Sequence, residues 1–271
     1  MRGLRLLLVS ALAAAGLTVA VARPAAAADA SVAGFQQCAN GTGTALTCAG
    51  GWINGSIQSG NSHFREDDVV PQRAVINLPA DNLVHTLTFT FQDRKGTVHA
   101  YDSLGTWNKT VENADPCGGI AASLCSGSPT SLQMAADGAT IPPTGAGISP
   151  LVSAHDLPDA DRQWKMYGGL LVSDAVGPHT SPASGDDLVN VSVSFRNPTP
   201  GTAHQAVLLF GGHLAVGGPN EHPRAWGQNL GASSVSGGPY AFKLEKIDGK
   251  NSGATANSIQ ANATQPLPPA T

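Results

Sequence analysis

Charged side chains are scarce in this chain, at 13% of its 271 residues, where about 25% is ordinary for a soluble domain. So little Glu, Lys and Arg excludes a coiled coil or a helical bundle. Basic residues number 15 against 19 acidic ones, which argues against a nucleic-acid binder. Aromatic residues are also few, at 5%. Helical periodicity is missing beyond the apolar run Leu6–Val21, and no second apolar run of spanning length follows it. What the chain has instead is 32 Gly, 19 Pro and 41% hydrophobic residues, enough to bury a core between frequent turns.

The first segment reads as an address. Arg2 and Arg5 precede the run Leu6–Val21, Pro24 breaks it, and Ala25–Ala28 supply small residues before Asp29. This is the order of a secretory signal, with cleavage expected after Ala28 or Ala30. Removal of residues 1–28 takes away Arg2, Arg5 and Arg23 and no acid, leaving 12 basic against 19 acidic residues, a net charge of −7. No membrane span is expected after cleavage. Cys38, Cys48, Cys117 and Cys125 all lie beyond the signal, and an even count in an exported chain reads as disulfides. Of three pairings, Cys38–Cys48 with Cys117–Cys125 is the simplest. A structural zinc site is the competing reading, although its usual close pairs are missing.

Period-two alternation recurs along the chain. In Leu83–Asp93, His85, Leu87, Phe89 and Phe91 share one face, and Thr86, Thr88, Thr90 and Gln92 the other. Thr97–Trp107 reads as its hairpin return. Asp187–Asn197 alternates in the same way, and Pro198–Gly201 is expected to turn it into a second hairpin with Ala206–Phe210. Further strands are expected at Gly50–Ile57, Val69–Leu78, Trp164–Asp174 and Tyr240–Ile247. The stretch Ala114–Pro150 is a long irregular loop that Cys117–Cys125 could staple. These features predict an all-β antiparallel β-sandwich, Ig-like or jelly-roll in type, over residues 31–248, with a disordered tail over 249–271.

Short catalytic motifs are missing from the sequence. There is no G-x-S-x-G, no H-E-x-x-H, and no G-x-G-x-x-G opening a helix. No catalytic or cofactor-binding residue is therefore assigned. Carboxylates cluster at Glu66–Asp68, at Asp156, Asp159 and Asp161, and at Asp186–Asp187. Clustered loop carboxylates can supply oxygen ligands to calcium. Asp156, Asp159 and Asp161 are the candidate calcium set, against a plainer reading as solvated loop charge. The eight histidines would need three to converge for a transition-metal site. His213 and His222 flank Glu221, and His85 and His99 could face each other across the first hairpin. The four tryptophans stand singly and read as core plugs, with Trp226 the exception because its loop is rich in Gly and Ser.

Gly60–Arg73 (GNSHFREDDVVPQR), Ala100–Pro116 (AYDSLGTWNKTVENADP), Gly185–Phe195, Phe210–Leu214 (FGGHL) and Trp226–Tyr240 together span most of the chain beyond the signal. In these phrases the chain resembles a group of secreted bacterial all-β modules. Such modules form the N-terminal part of larger surface proteins with prealbumin-like or Sdr-type repeats. The resemblance implies an extracellular, adhesin-like or surface-associated role and carries over no catalytic site. The expected partner is an extracellular ligand or surface component. Two other classes stay open: a secreted carbohydrate-active hydrolase using two of the loop carboxylates, and a calcium-dependent binding module.

Overall fold

The computed structural model describes residues 29–41, 47–141, 148–218, 222–253 and 255–268. The signal expected over residues 1–28 lies outside them. The strands are β1 (Ser31–Ala39), β2 (Gly51–Ile53), β3 (Ser56–Ile57), β4 (Val69–Leu78), β5 (Val84–Lys95), β6 (Val98–His99), β7 (Tyr101–Gly105) and β8 (Thr130–Gln133). They continue as β9 (Gln163–Tyr167), β10 (Leu170–His179), β11 (Asp187–Arg196), β12 (His204–Leu214), β13 (Tyr240–Ile247), β14 (Lys250–Asn251) and β15 (Ala256–Ile259). A first sheet runs β2-β1-β4-β12-β9-β8, with β7 also on β12. A second runs β10-β11-β5-β13-β15-β3, with β6 on β5 and β14 on β13. Every pairing within the sheets is antiparallel except β15 with β3. The fold is a β-sandwich, as expected.

The alternation read from the sequence decides which faces meet. Val189, Val191, Val193 and Phe195 of β11 are buried, and so are Leu87, Phe89 and Phe91 of β5. Phe89 stacks on Phe210 from the first sheet with ring centres 4.8 Å apart, and Phe242 joins them. β4 and β12 do not alternate, because they are covered on both faces. Their outer face lies under the irregular segments 106–129 and 148–162. Arg73 of β4 donates to the carbonyls of Pro116 and Gly118, and Gly105 sits where an added Cβ would meet Leu157 and Val69. Within the stretch 114–150 expected as an irregular loop, residues 114–129 thus cover this sheet, 130–133 form its edge strand β8, and 142–147 lie outside the described set. Both expected disulfides, Cys38–Cys48 and Cys117–Cys125, are formed.

Several expected strands are divided between the two sheets. Gly50–Ile57 breaks at Gly55, whose φ of +135° suits only glycine, so β2 joins the first sheet and β3 the second. Trp164–Asp174 breaks at Gly168 (φ +67°) into β9 and β10 in the same way. Thr97–Trp107 is a hairpin return for two residues only. β13 pairs with β5 over Leu87–Phe91, so β7 crosses to β12 instead. Asp187–Asn197 and Ala206–Phe210 form no hairpin. Asn197 donates to the carbonyls of Pro79 and Thr202 and holds the crossing between the sheets.

The disordered tail expected over 249–271 is also corrected for its described part. β14 and β15 extend the second sheet, and Ile259, Ala263 and Thr264 are buried. Tyr240 and Thr264 share a hydrogen bond of 2.6 Å between their hydroxyls. The tail looks polar because only every second residue of β15 enters the core.

Candidate functional site

Three histidines are each clamped between two aspartates. His213 on β12 has Nδ1 2.5 Å from Asp102 Oδ1 on the adjacent β7, and Nε2 3.0 Å from Asp67 Oδ1. Asp67 sits at φ +70° just before β4, where its amide donates to the carbonyl of Leu214. Arg224 donates to the same Asp67 oxygen at 2.6 Å, and Trp226 Nε1 donates to Asp102 Oδ2 at 2.9 Å. His85 is held likewise by Asp248 and Asp81, and His179 by Asp187 and Asp137.

Burial opposes charge on His213, but Asp102 and Asp67 overcome it and raise its pKa to about 9. Burial would raise Asp67, yet hydrogen bonds from His213 and Arg224 hold it well below the carboxylate range. With both ring nitrogens donating, the imidazolium of His213 keeps no lone pair for general-base work at neutral pH. It is a buried cation in a chain with few Lys and Arg. Burial, with Asp67 beside it, pushes Asp68 up to about 6. Burial and the neighbouring Asp102 and Asp137 push Asp156 up to about 7 against the pull of Arg162.

These shifts set the sign of the pH dependence. The raised His213 stabilises the fold fully below about 6.5, its unfolded value, and this is lost as pH rises through about 9. The raised Asp68 and Asp156 contribute most below about 4, and that is lost through about 6 and 7. The depressed Asp67 contributes above about 4 and is lost only in stronger acid. The melting temperature should therefore be highest at about pH 4–5 and fall by several degrees toward pH 9. Thermal melts from pH 4 to 9.5 check this, and a Tm that climbs from pH 6 to 9 contradicts it.

The candidate calcium residues are committed to cations of the chain. Asp159 is 80% exposed and lies 2.5 Å from Arg162 Nη2, while Arg162 Nη1 is 3.1 Å from Asp156 Oδ2. Asp161 pairs with Lys109 at 3.0 Å. Another set converges. Asp93, His179 and Asp187 are, among the described residues, the one group of three whose ligand atoms lie within 4.8 Å of one another. Sequence reasoning passed over it. Its signal was there: Asp93 continues the inward face of His85, Leu87, Phe89 and Phe91, and Asp187 that of Val189 and Val191.

His85 and His99 do not meet. His99 stacks on one face of Trp226 with ring centres 3.7 Å apart, and His155 on the other at 3.5 Å. His222 approaches Asp67 at 3.6 Å, and Glu221 lies outside the described residues. Trp107 and Trp164 are buried core, as expected, and Trp226, read from its Gly- and Ser-rich loop as the exception, is buried as well. Trp52 is the departure.

Trp52 lines a surface cleft of about 450 Å³, together with Gln36, Thr47, Cys48, Asn113, Asp115, Gly118 and Gly119. Residues of β1 and β2, Thr47 and Cys48, and the start of the Cys117–Cys125 loop build its walls. The Trp52 indole donates to the carbonyl of Asp115 at 2.8 Å, and the Arg73 guanidinium lies 4.5 Å from its ring centre. Arg73 also donates to Gln36 Oε1. Gln36 is shared with a second groove of about 380 Å³ bordered by Ala33, Asn54, Ile120, Leu124 and Gln205. Among the lining residues of the first cleft, Asp115 is the one carboxylate. Among the described residues no helix is long and apolar enough to cross a membrane. No family model, curated protein or solved structure matches this chain.

Proposed function

We propose that the chain is a secreted, non-catalytic binding module, adhesin-like or surface-associated, whose ligand is a neutral glycan held in the Trp52 cleft. The lining of that cleft carries the reading. An indole, the carboxamides of Gln36 and Asn113, the Asp115 carboxylate and the Thr47 hydroxyl offer an apolar plane ringed by donors and acceptors. The nearby cation, Arg73, is buried and spends its guanidinium on protein oxygens, so it presents no charge to an anionic ligand. Two disulfides fix the walls before binding, which lowers the ordering cost. Disulfides are also compatible with export, and the resemblance of several phrases to secreted surface modules leans the same way. Glycoside hydrolysis uses two facing carboxylates, and the cleft lining supplies one.

An array of neutral glycans is the test. The parent chain should bind a subset without turning it over. Trp52→Ala should weaken that binding by about tenfold or more. Asn113→Ala leaves the Arg73–Trp52 stack intact and should also weaken it. Unchanged binding in both variants, or release of free sugar by the parent, would overturn the proposal.

A further inference from the structure

Three adjacent strands of the second sheet bring a second polar centre together beneath the 180–186 connection. Asp93 comes from β5, Asp187 from the start of β11 and His179 from the end of β10. We propose that these three side chains form a binding site for one divalent transition-metal ion of the zinc class, with Asp137 orienting His179 from outside.

Four observations carry it. The ligand atoms lie within 4.8 Å of one another, near enough that a small closing movement would bring them to the roughly 3.4 Å separations of tetrahedral ligands about 2.0–2.2 Å from a common ion. Asp93 is 1% exposed, and its Oδ2 has no hydrogen-bond partner, a costly state for a buried carboxylate. His179 Nε2 donates to Asp137 Oδ2 at 2.8 Å, the outer carboxylate contact that fixes a metal-binding imidazole. That leaves Nδ1 facing Asp187 Oδ2 at 2.5 Å, where an ion would replace the shared proton and release it to solvent. Finally, three carboxylates, Asp93, Asp137 and Asp187, stand around His179, with His99 Nδ1 3.2 Å from Asp93 Oδ1. Arg94 is nearby, but its guanidinium donates to the carbonyls of Ser181, Pro182 and Gly185 and makes no hydrogen bond to these carboxylates.

The rest of the site is already built. Asp187 Oδ1 accepts from Ser181 N at 2.8 Å and from Thr180 Oγ1 at 3.3 Å, so its second oxygen is positioned. The set of one imidazole nitrogen and two carboxylates suits zinc or manganese better than calcium, which takes 6–8 oxygens. The ion would tie β5, β11 and β10 together where the connection 180–186 leaves the sheet.

The experiment uses the full chain, stripped with chelator and titrated separately with zinc, manganese and calcium chloride. One zinc or manganese ion per chain should bind. At about 100 times its Kd the melting temperature should rise by about 5–8 °C, with calcium far less effective. Asp93→Asn keeps the shape of the side chain and should lose the rise while its metal-free melt stays near the parent's. Should that variant not fold, a zinc-soaked crystal of the parent should show an anomalous peak between Asp93, His179 and Asp187. No saturable uptake, calcium acting equally well, a rise retained in Asp93→Asn, or ions found on surface histidines only would each overturn the proposal.

Discussion

Asp102→Ala is expected to cost about 3–5 kcal/mol of stability and to lower the melting temperature by roughly 10 °C. Asp102 is buried and holds two elements at once. Its Oδ1 accepts a hydrogen bond from His213 Nδ1 and its Oδ2 one from the Trp226 indole N–H. Without it the His213 imidazolium keeps only Asp67, at the edge of a site it cannot leave. Trp226 loses the carboxylate that sets its angle between His99 and His155. The cost comes mainly from the cation left behind, because a buried charge stripped of its partner is far worse than no charge. Adding His213→Gln to Asp102→Ala should therefore recover part of the loss. Thermal or urea denaturation of both single variants and the double closes the cycle. Losses that simply add would mean that the pair is not coupled.

Removing Cys117–Cys125 as a Cys117→Ser/Cys125→Ser double variant should cost about 2–3 kcal/mol, the value for so short a loop. A second effect should fall on binding. Segment 116–125 supplies the carbonyls that hold Arg73, and Arg73 in turn lies against the Trp52 ring. Freeing the segment loosens one wall of the cleft and the stack beneath it. Glycan affinity should drop by about tenfold or more, even at temperatures where the sandwich is still folded. Denaturation curves and binding isotherms on the same sample separate the two effects. A variant that is destabilised yet binds as before would place the ligand elsewhere.

The class of fold was legible because alternation is a local signal. Residues 189, 191, 193 and 195 face inward whichever sheet they belong to. For the same reason sheet membership was not legible. An inward face looks identical in either layer, so the crossings at Gly55, Ala100 and Gly168 passed unseen. β15 was hidden by a composition of Ala, Asn and Ser, which enters the core only through Asn257 and Ile259. The cysteine pairing could be read from short spacing.

The histidine clamps could not. His213 and Asp102 are 111 positions apart, and His85 and Asp248 are 163. Asp156, Asp159 and Asp161 drew notice as neighbours in sequence, yet Arg162 and Lys109 take them up in space. Asp93 and Asp187 each sit alone at the end of an apolar face. A carboxylate that continues an inward pattern is the hint that a sequence reader can use.

The chain has four tryptophans, so its indole N–H signals can be resolved singly by heteronuclear NMR. Titration of labelled protein with soluble neutral oligosaccharides tests the binding account most directly. The account predicts that the Trp52 indole shifts and saturates while those of Trp164 and Trp226 stay in place, with the sugar recovered intact. Shifts confined to Trp226, no shift at any indole, or cleavage of the sugar would contradict it.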